Sequence, residues 1–373
     1  MSVKRFLSDS IVNLRGWRTD RRIVVIESDD WGSERTPSKE VLKALKDDGF
    51  NVEACHYMMN DSLASERDLE NLFELLMKYK DSGGIHPLIT ANCIMVNPDF
   101  ARIKADGFRN YYFEHFRETL KRYPEHQNSF SLWKAGMDDG VFHPELHGRE
   151  HLNVSLWMRD LRNGLGETAR AFDLGVFAVS RHIVREKRGS YLAAFDRTDG
   201  GPLHEKGIIV EEAVKLFQDT FGYASESFVA PNYVWDDPVE SVLHQSGVRY
   251  IQGIRNQYLS EAYERPKNTR PHYQGQKNHL GQRYLVRNVI FEPASSPNID
   301  WVDRCMAQIS TAFRYGKPAV ISSHRVNYVG FINAANRDRN LRLLNLLLQS
   351  LLRRWPDVRF LSSGALGRLI DEG

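Results

Sequence analysis

The chain has 373 residues, 42% of them hydrophobic and 26% charged, with a formal net charge of +2. That balance carries no basic surplus for nucleic acid, and no apolar run approaches the ~20 residues of a membrane span. Three well-separated cysteines, Cys55, Cys93 and Cys305, form no CxxC pair, so neither a disulfide framework nor a thiolate zinc site is indicated. The first 22 residues lack the apolar core and cleavage site of a signal peptide. The expectation is a cytoplasmic protein with reduced thiols. Arginines such as Arg337, Arg339 and Arg342 stand among leucines at helical spacing and read as a solvated helix face.

In chain order, strands and helices alternate. After a 22-residue N-terminal extension, Ile23–Glu27 is a β-branched apolar run. Val41, Leu42 and Leu45 mark a helix ending near Gly49, and a stronger one runs from about Ser65 to Lys80 before Gly83-Gly84. HPLITANCIMV (86–96) predicts a second strand. Residues 100–142 form an aromatic-rich insertion, and Pro144 to Arg162 carries a helical pattern. Leu203–Phe221 predicts a helix, SFVAP (227–231) a strand, Val239–Gln245 a helix and VRYIQG (248–253) a strand. A polar insertion follows at 255–283. YLVRNVIF (284–291) then predicts a strand, Asp300–Tyr315 a helix, PAVISSH (318–324) a strand, Asn336–Trp355 a long helix, and VRFLS with Ala365–Ile370 a closing strand and helix. Repeated strand-then-helix units imply parallel strands with helices outside, as an open sheet or a barrel, in one domain over 23–373. Active sites of such folds gather at the C-terminal ends of the strands.

Four strand-associated stretches carry chemistry. IESDDW sets Asp29 and Asp30 side by side at the end of a core strand. Two neighbouring carboxylates repel unless a cation separates them, and with a metal present one can ligate while the other acts as a general base. FHPELHGREHLN (142–153) holds His143, His147 and His151 at four-residue steps. On a helix begun by Pro144, His147 and His151 would share one face and could grip one ion. His143, at the helix start, is left as an outer or substrate contact. SSH delivers His324 to a strand end, where an imidazole could protonate a leaving group. APNYVW exposes Asn232, Tyr233 and Trp235 after Pro231, aromatics suited to a sugar ring. Tyr111, Tyr112, Trp133, Arg255, Arg270 and Tyr273 in the two insertions are rim candidates.

Taken in order, Ser28-Asp29-Asp30, His147-Gly-Arg-Glu-His151, Ala230-Pro231-Asn232 and Ser323-His324 resemble the motifs of the polysaccharide deacetylase superfamily, metal-dependent carbohydrate esterases. The resemblance implies a distorted (β/α)7-type barrel with long insertions. It implies one divalent metal ion, usually zinc, held by Asp30, His147 and His151, with Asp29 as general base and His324 as general acid. A backbone N–H near Asn232 or Tyr233 would hold the oxyanion. The implied activity is removal of an acetyl group from an N- or O-acetylated sugar, oligosaccharide or polysaccharide precursor. Trp31, Asn232, Tyr233, Trp235, His143, Arg149 and Arg325 are the substrate-side candidates.

Two departures stand out. The arginine that usually precedes the proline and pairs with the base is Val229 here, so Arg149 or Arg325 is expected to support Asp29. The usual Asp-x-x-Asp-Trp motif is missing unless Trp235-Asp236-Asp237 is a shifted remnant. His147-x-x-Glu150-His151 also fits an inverted zinc peptidase with Glu150 as base, and a non-catalytic carbohydrate-binding relative is the alternative from another class.

Overall fold

The computed structural model describes residues 9–197, 203–260 and 268–373. Its centre is a parallel sheet built from β1 (Ile23–Trp31), β2 (Ile89–Ile94), β3 (Phe142–Gly148), β4 (Ser227–Val229), β5 (Tyr250–Gly253), β6 (Arg283–Val286), β7 (Val289–Ile290) and β8 (Ala319–His324). The spatial order is β6-β5-β4-β3-β2-β1-β8-β7, and the short β9 (Arg359–Phe360) pairs with the start of β1. All nine residues of β1 are buried, as expected of a stave covered on both faces.

The two edges of the sheet, β6 and β7, are consecutive in the chain, separated only by Arg287 and Asn288. Arg287 N–H still donates to the Gly253 carbonyl of β5 (2.8 Å), while Asn288 N–H donates to Val320 of β8 (3.1 Å). One extended stretch therefore leaves one edge and joins the other, closing an α/β barrel of seven staves through the chain itself. The expected strand 284–291 is this stretch, divided where it changes partners.

The expected helix from Pro144 to Arg162 is a correction. Residues Phe142–Gly148 form a strand paired with β2, in register from Ile89↔Phe142 to Cys93↔Leu146 and shifted by one residue at Ile94↔Gly148, and helix begins only at Val154, capped by Asn153. Tertiary pairing overrides the four-residue periodicity here. Pro144 is tolerated because pairing with β4 is confined to Leu146, further along the strand, and the Pro144 carbonyl accepts the Tyr223 hydroxyl instead.

The insertion at 100–142 supplies helices Phe100–Ala105, Phe116–Leu120 and Ser129–Asp138. Its Trp133 is core, packed against Trp31, Phe142 and Phe116, and so is not a rim residue. The insertion at 255–283 adds strands Asn256–Leu259 and Thr269–Pro271 to Val234–Trp235 as a three-stranded sheet, and its Arg270 pairs with Asp237. Among the described residues no helix is long and apolar enough to cross a membrane.

Arg325, fully buried, grips Asp61 through two hydrogen bonds of 3.0 Å. Removing one partner of a buried pair strands the other charge. Arg325→Met is expected to cost about 3–5 kcal/mol of unfolding free energy in urea titration. Unchanged stability would show that Asp61 is protonated or rebalanced by its other neighbour, Arg35.

Candidate active site

The C-terminal end of β1 sets the geometry. Pairing of β1 with β2 slips between Ser28↔Ala91 and Trp31↔Cys93, so three steps on β1 face two on β2. The extra residue is a β-bulge at Asp29-Asp30, and Asp30 takes a left-handed backbone with φ 73°. In a regular strand adjacent side chains point to opposite faces; the bulge turns both carboxylates into one cavity. Gly32 (φ 84°) completes the turn, since a Cβ there would lie 2.2 Å from the Ile94 carbonyl oxygen.

Asp30, His147 and His151 are all buried, and one ligand atom from each lies within 4.8 Å of the others. Asp30 Oδ1 is 3.6 Å from His147 Nε2 and 3.3 Å from His151 Nε2. Ligands at about 2.0–2.1 Å around a tetrahedral zinc are spaced by roughly 3.3 Å along each edge, so these donors fit such an ion. His147 Nδ1 lies 2.8 Å from the Val229 carbonyl, which can only accept; the proton sits there and the Nε2 lone pair is free. Burial pushes His151 down to about 3, keeping it the neutral imidazole that a metal ligand must be. The two histidines do not share a helix face. His147 is the penultimate residue of β3, and His151 follows a turn beyond Gly148 (φ 136°).

Asp29 is level with His324 on the neighbouring strand. Its carboxylate is held by Arg287, with Nη1 donating to Oδ2 at 2.6 Å and Nη2 to Oδ1 at 2.7 Å, while Asn92 donates to Oδ1 at 2.7 Å. Burial opposes its charge, but Arg287 prevails and holds the group well below the usual carboxylate range. Arg287 also meets Glu27 (2.5 Å), whose own acidity burial weakens. His324 Nδ1 lies 2.6 Å from Glu292, itself fixed by Asn327, and His324 Nε2 lies 3.8 Å from Asp29 Oδ2. Burial works against protonation of His324, yet Glu292, Asp29 and Asp30 raise it to about 9.

These groups line a cavity of about 100 Å³ with Arg35, Tyr57, Leu192, Ala230, Asn232 and Tyr233. Asn232 and Tyr233 both adopt left-handed backbones (φ 56° and 57°), and the Tyr233 hydroxyl accepts from Arg287 at 2.8 Å. Such conformations in non-glycine residues store strain and concentrate at functional sites.

Other candidates lie elsewhere. Trp31 is core, donating to Ser28 and packed edge-on against Phe142, and Trp235 is core, donating to Glu240. His143 sits at the opposite end of β3, beside Glu145 and stacked on Tyr223. Arg149 pairs with Glu150 and Glu212, and Arg325 with Asp61; neither touches Asp29. Glu150 is held by Arg149 and does not line the cavity. Asp237 belongs to Arg270, so Glu292, not the 235–237 segment, is the acidic partner of His324. The residues missed by sequence reasoning are Arg287, Glu292, Arg35 and Tyr57. A single arginine inside the apolar run YLVRNVIF was a signal for the first.

No family model and no curated protein matches the chain. Distant likenesses exist among solved structures. A suspected glycoside hydrolase or deacetylase from Parabacteroides distasonis overlaps 95% of this chain and 72% of its own at 10% identity and a TM-score of 0.48. A suspected polysaccharide deacetylase from Mycobacterium smegmatis overlaps 96% and 93% at 10% identity and 0.45. A 4-alpha-glucanotransferase from Thermococcus litoralis overlaps 93% of this chain at 8% identity and 0.44, and the chain spans only 40% of that longer protein.

The donor geometry predicts one divalent metal ion per chain by elemental analysis. His147→Ala with His151→Ala is expected to abolish it, and Asp29→Asn to leave it in place. Loss of the ion in Asp29→Asn would mean that Asp29 is a ligand.

Proposed function

We propose that this protein is a metal-dependent hydrolase that removes the acetyl group from an N- or O-acetylated sugar, oligosaccharide or polysaccharide precursor. The observation that carries this is the pairing of an Asp30–His147–His151 donor set with a second carboxylate, Asp29, and an imidazole, His324, around one small cavity. A cavity of about 100 Å³ suits an acyl group and a water, not a sugar ring. An adjoining cleft of about 520 Å³, lined in part by Arg255, Asn256, Asn288 and Gln308, meets it at Tyr233 and His324 and would receive the sugar.

Asp30, His147 and His151 would hold a divalent ion, zinc by the character of the donors, which would supply Lewis acidity to polarise the acyl carbonyl and acidify water at the site. Asp29 takes the proton of the attacking water on Oδ2, which accepts from Arg287 alone, whereas Oδ1 accepts from both Asn92 and Arg287. The water oxygen bonds to the acyl carbon as the carbonyl pair moves onto oxygen. Return of that pair breaks the bond to the amine, whose nitrogen takes the proton from His324 Nε2. Asp29 then returns its proton to His324 across the 3.8 Å that separate them, so that a carboxylic acid and an amine leave an unchanged site. Glu292 keeps His324 charged for this step, and Arg287 keeps Asp29 ionised and aimed.

Acetate release from acetylated sugars tests the proposal. Asp29→Asn is expected to reduce it by about 10²–10⁴-fold. Because Glu292 raises His324, the acid form persists through neutrality and activity falls as pH rises through its pKa, near 9 before a nearby dication draws it down. Glu292→Gln is expected to move that alkaline limb to lower pH. A limb that stays in place would remove His324 as the acid, and no release from any acetylated sugar would sink the proposal.

A further inference from the structure

Arg35 lies five residues beyond Asp30, is only 4% exposed and lines the catalytic cavity. Its charge faces Asp30 Oδ2 and Asp61 Oδ2, each at a long 3.4 Å. Asp61 is already satisfied by Arg325 at 3.0 Å twice over. A guanidinium offers five N–H donors; among the described residues Arg35 makes one long hydrogen bond, and its buried Nε makes none. Leaving such donors unmade in a buried site is costly.

Two further observations bear on this. The Tyr57 ring lies 5.0 Å from the Arg35 guanidinium and edge-on to His324 at 5.3 Å, joining the spare cation to the acid side of the cavity. On the other wall, the Tyr233 N–H, one of the backbone donors expected for the oxyanion, is consumed by the Ala230 carbonyl at 2.9 Å. Charge counting points the same way. Arg325 faces Asp61, Arg287 faces Asp29 and Glu27, and a dication would more than offset Asp30. Arg35 is then a surplus buried cation beside the reacting carbonyl.

We infer that Arg35 is a catalytic residue that donates to the acyl oxygen and holds the negative charge developing on it, with Tyr57 as the ring that fixes the guanidinium plane. This rests on the deacylase proposal for the same site. The charge it meets forms when the water oxygen bonds to the acyl carbon and the carbonyl pair moves to oxygen. Arg35 neither gains nor loses a proton.

The test uses the full chain loaded with zinc and needs three readouts on Arg35→Met and Arg35→Lys: zinc affinity by chelator competition, binding of methylphosphonate as a tetrahedral anion, and acetate release. Removal of one such donor is expected to lower kcat by about 10²–10³-fold with KM little changed, and to weaken methylphosphonate by about tenfold or more. Zinc affinity should stay near that of the wild type, and the lysine variant should recover part of both losses. Unchanged methylphosphonate binding would overturn the inference. So would a rate loss that saturating zinc restores, since Arg35 would then act only by positioning Asp30. Should the methionine variant fail to fold, the lysine variant decides, because a point charge in place of the fork must still weaken methylphosphonate. If wild-type protein binds methylphosphonate through Arg35 but hydrolyses no acetylated sugar, the deacylase proposal fails while the anion-holding role stands.

Discussion

Two carboxylates on adjacent residues, both buried at a strand end, can stay ionised only if each has its own source of positive charge. The bulge at the end of β1 is what makes this possible. It turns Asp29 and Asp30 into one cavity but toward different partners, Asp29 toward Arg287 and Asp30 toward His147, His151 and Arg35. Without the left-handed Asp30 one of the two side chains would face away from the cavity, and no division of roles could follow. Aspartate is among the few non-glycine residues that adopt this conformation at modest cost.

Barrel closure serves the same end. The stretch that carries β6 and β7 changes partners at Arg287-Asn288, and the break aims the Arg287 guanidinium into the barrel interior between Glu27 and Asp29. A few residues later the same stretch delivers Glu292 to His324. One segment therefore sets both titrating groups, holding a carboxylate ionised and an imidazole charged. A site of this kind, dense in buried ions, is weak evidence for stability. Folding energy comes instead from the apolar staves and from the aromatic cluster of Trp31, Trp133, Phe142 and Phe116 around β1.

Much of this was legible in the sequence because strand ends announce themselves. The apolar runs before Asp29, Pro231 and His324 mark three staves and the residues they deliver, and a parallel α/β barrel follows from the alternation. His147 and His151 were legible as a pair, but their four-residue spacing suggested a helix, whereas a strand end and a turn beyond Gly148 bring them together. Spacing alone could not distinguish the two, because β3 is a strand through its pairing with β2 and β4. Trp31 and Trp235 were misjudged since a large ring beside a motif looks like a binding surface when its packing partners lie far away in sequence. Arg287 and Glu292 stayed hidden for the same reason. Their partners are 258 and 32 residues away, a separation only the closed barrel spans. No local pattern marks Arg35 as different from any loop arginine.

The central claim is that Asp30 and not Asp29 belongs to the ion. Anomalous diffraction at the zinc edge from zinc-soaked crystals measures this directly. The account predicts one peak within about 2.0–2.2 Å of Asp30 Oδ1, His147 Nε2 and His151 Nε2, with the Asp29 carboxylate outside the coordination shell and still bound to Arg287. A peak ligated by Asp29, or one lying away from these three residues, would contradict it.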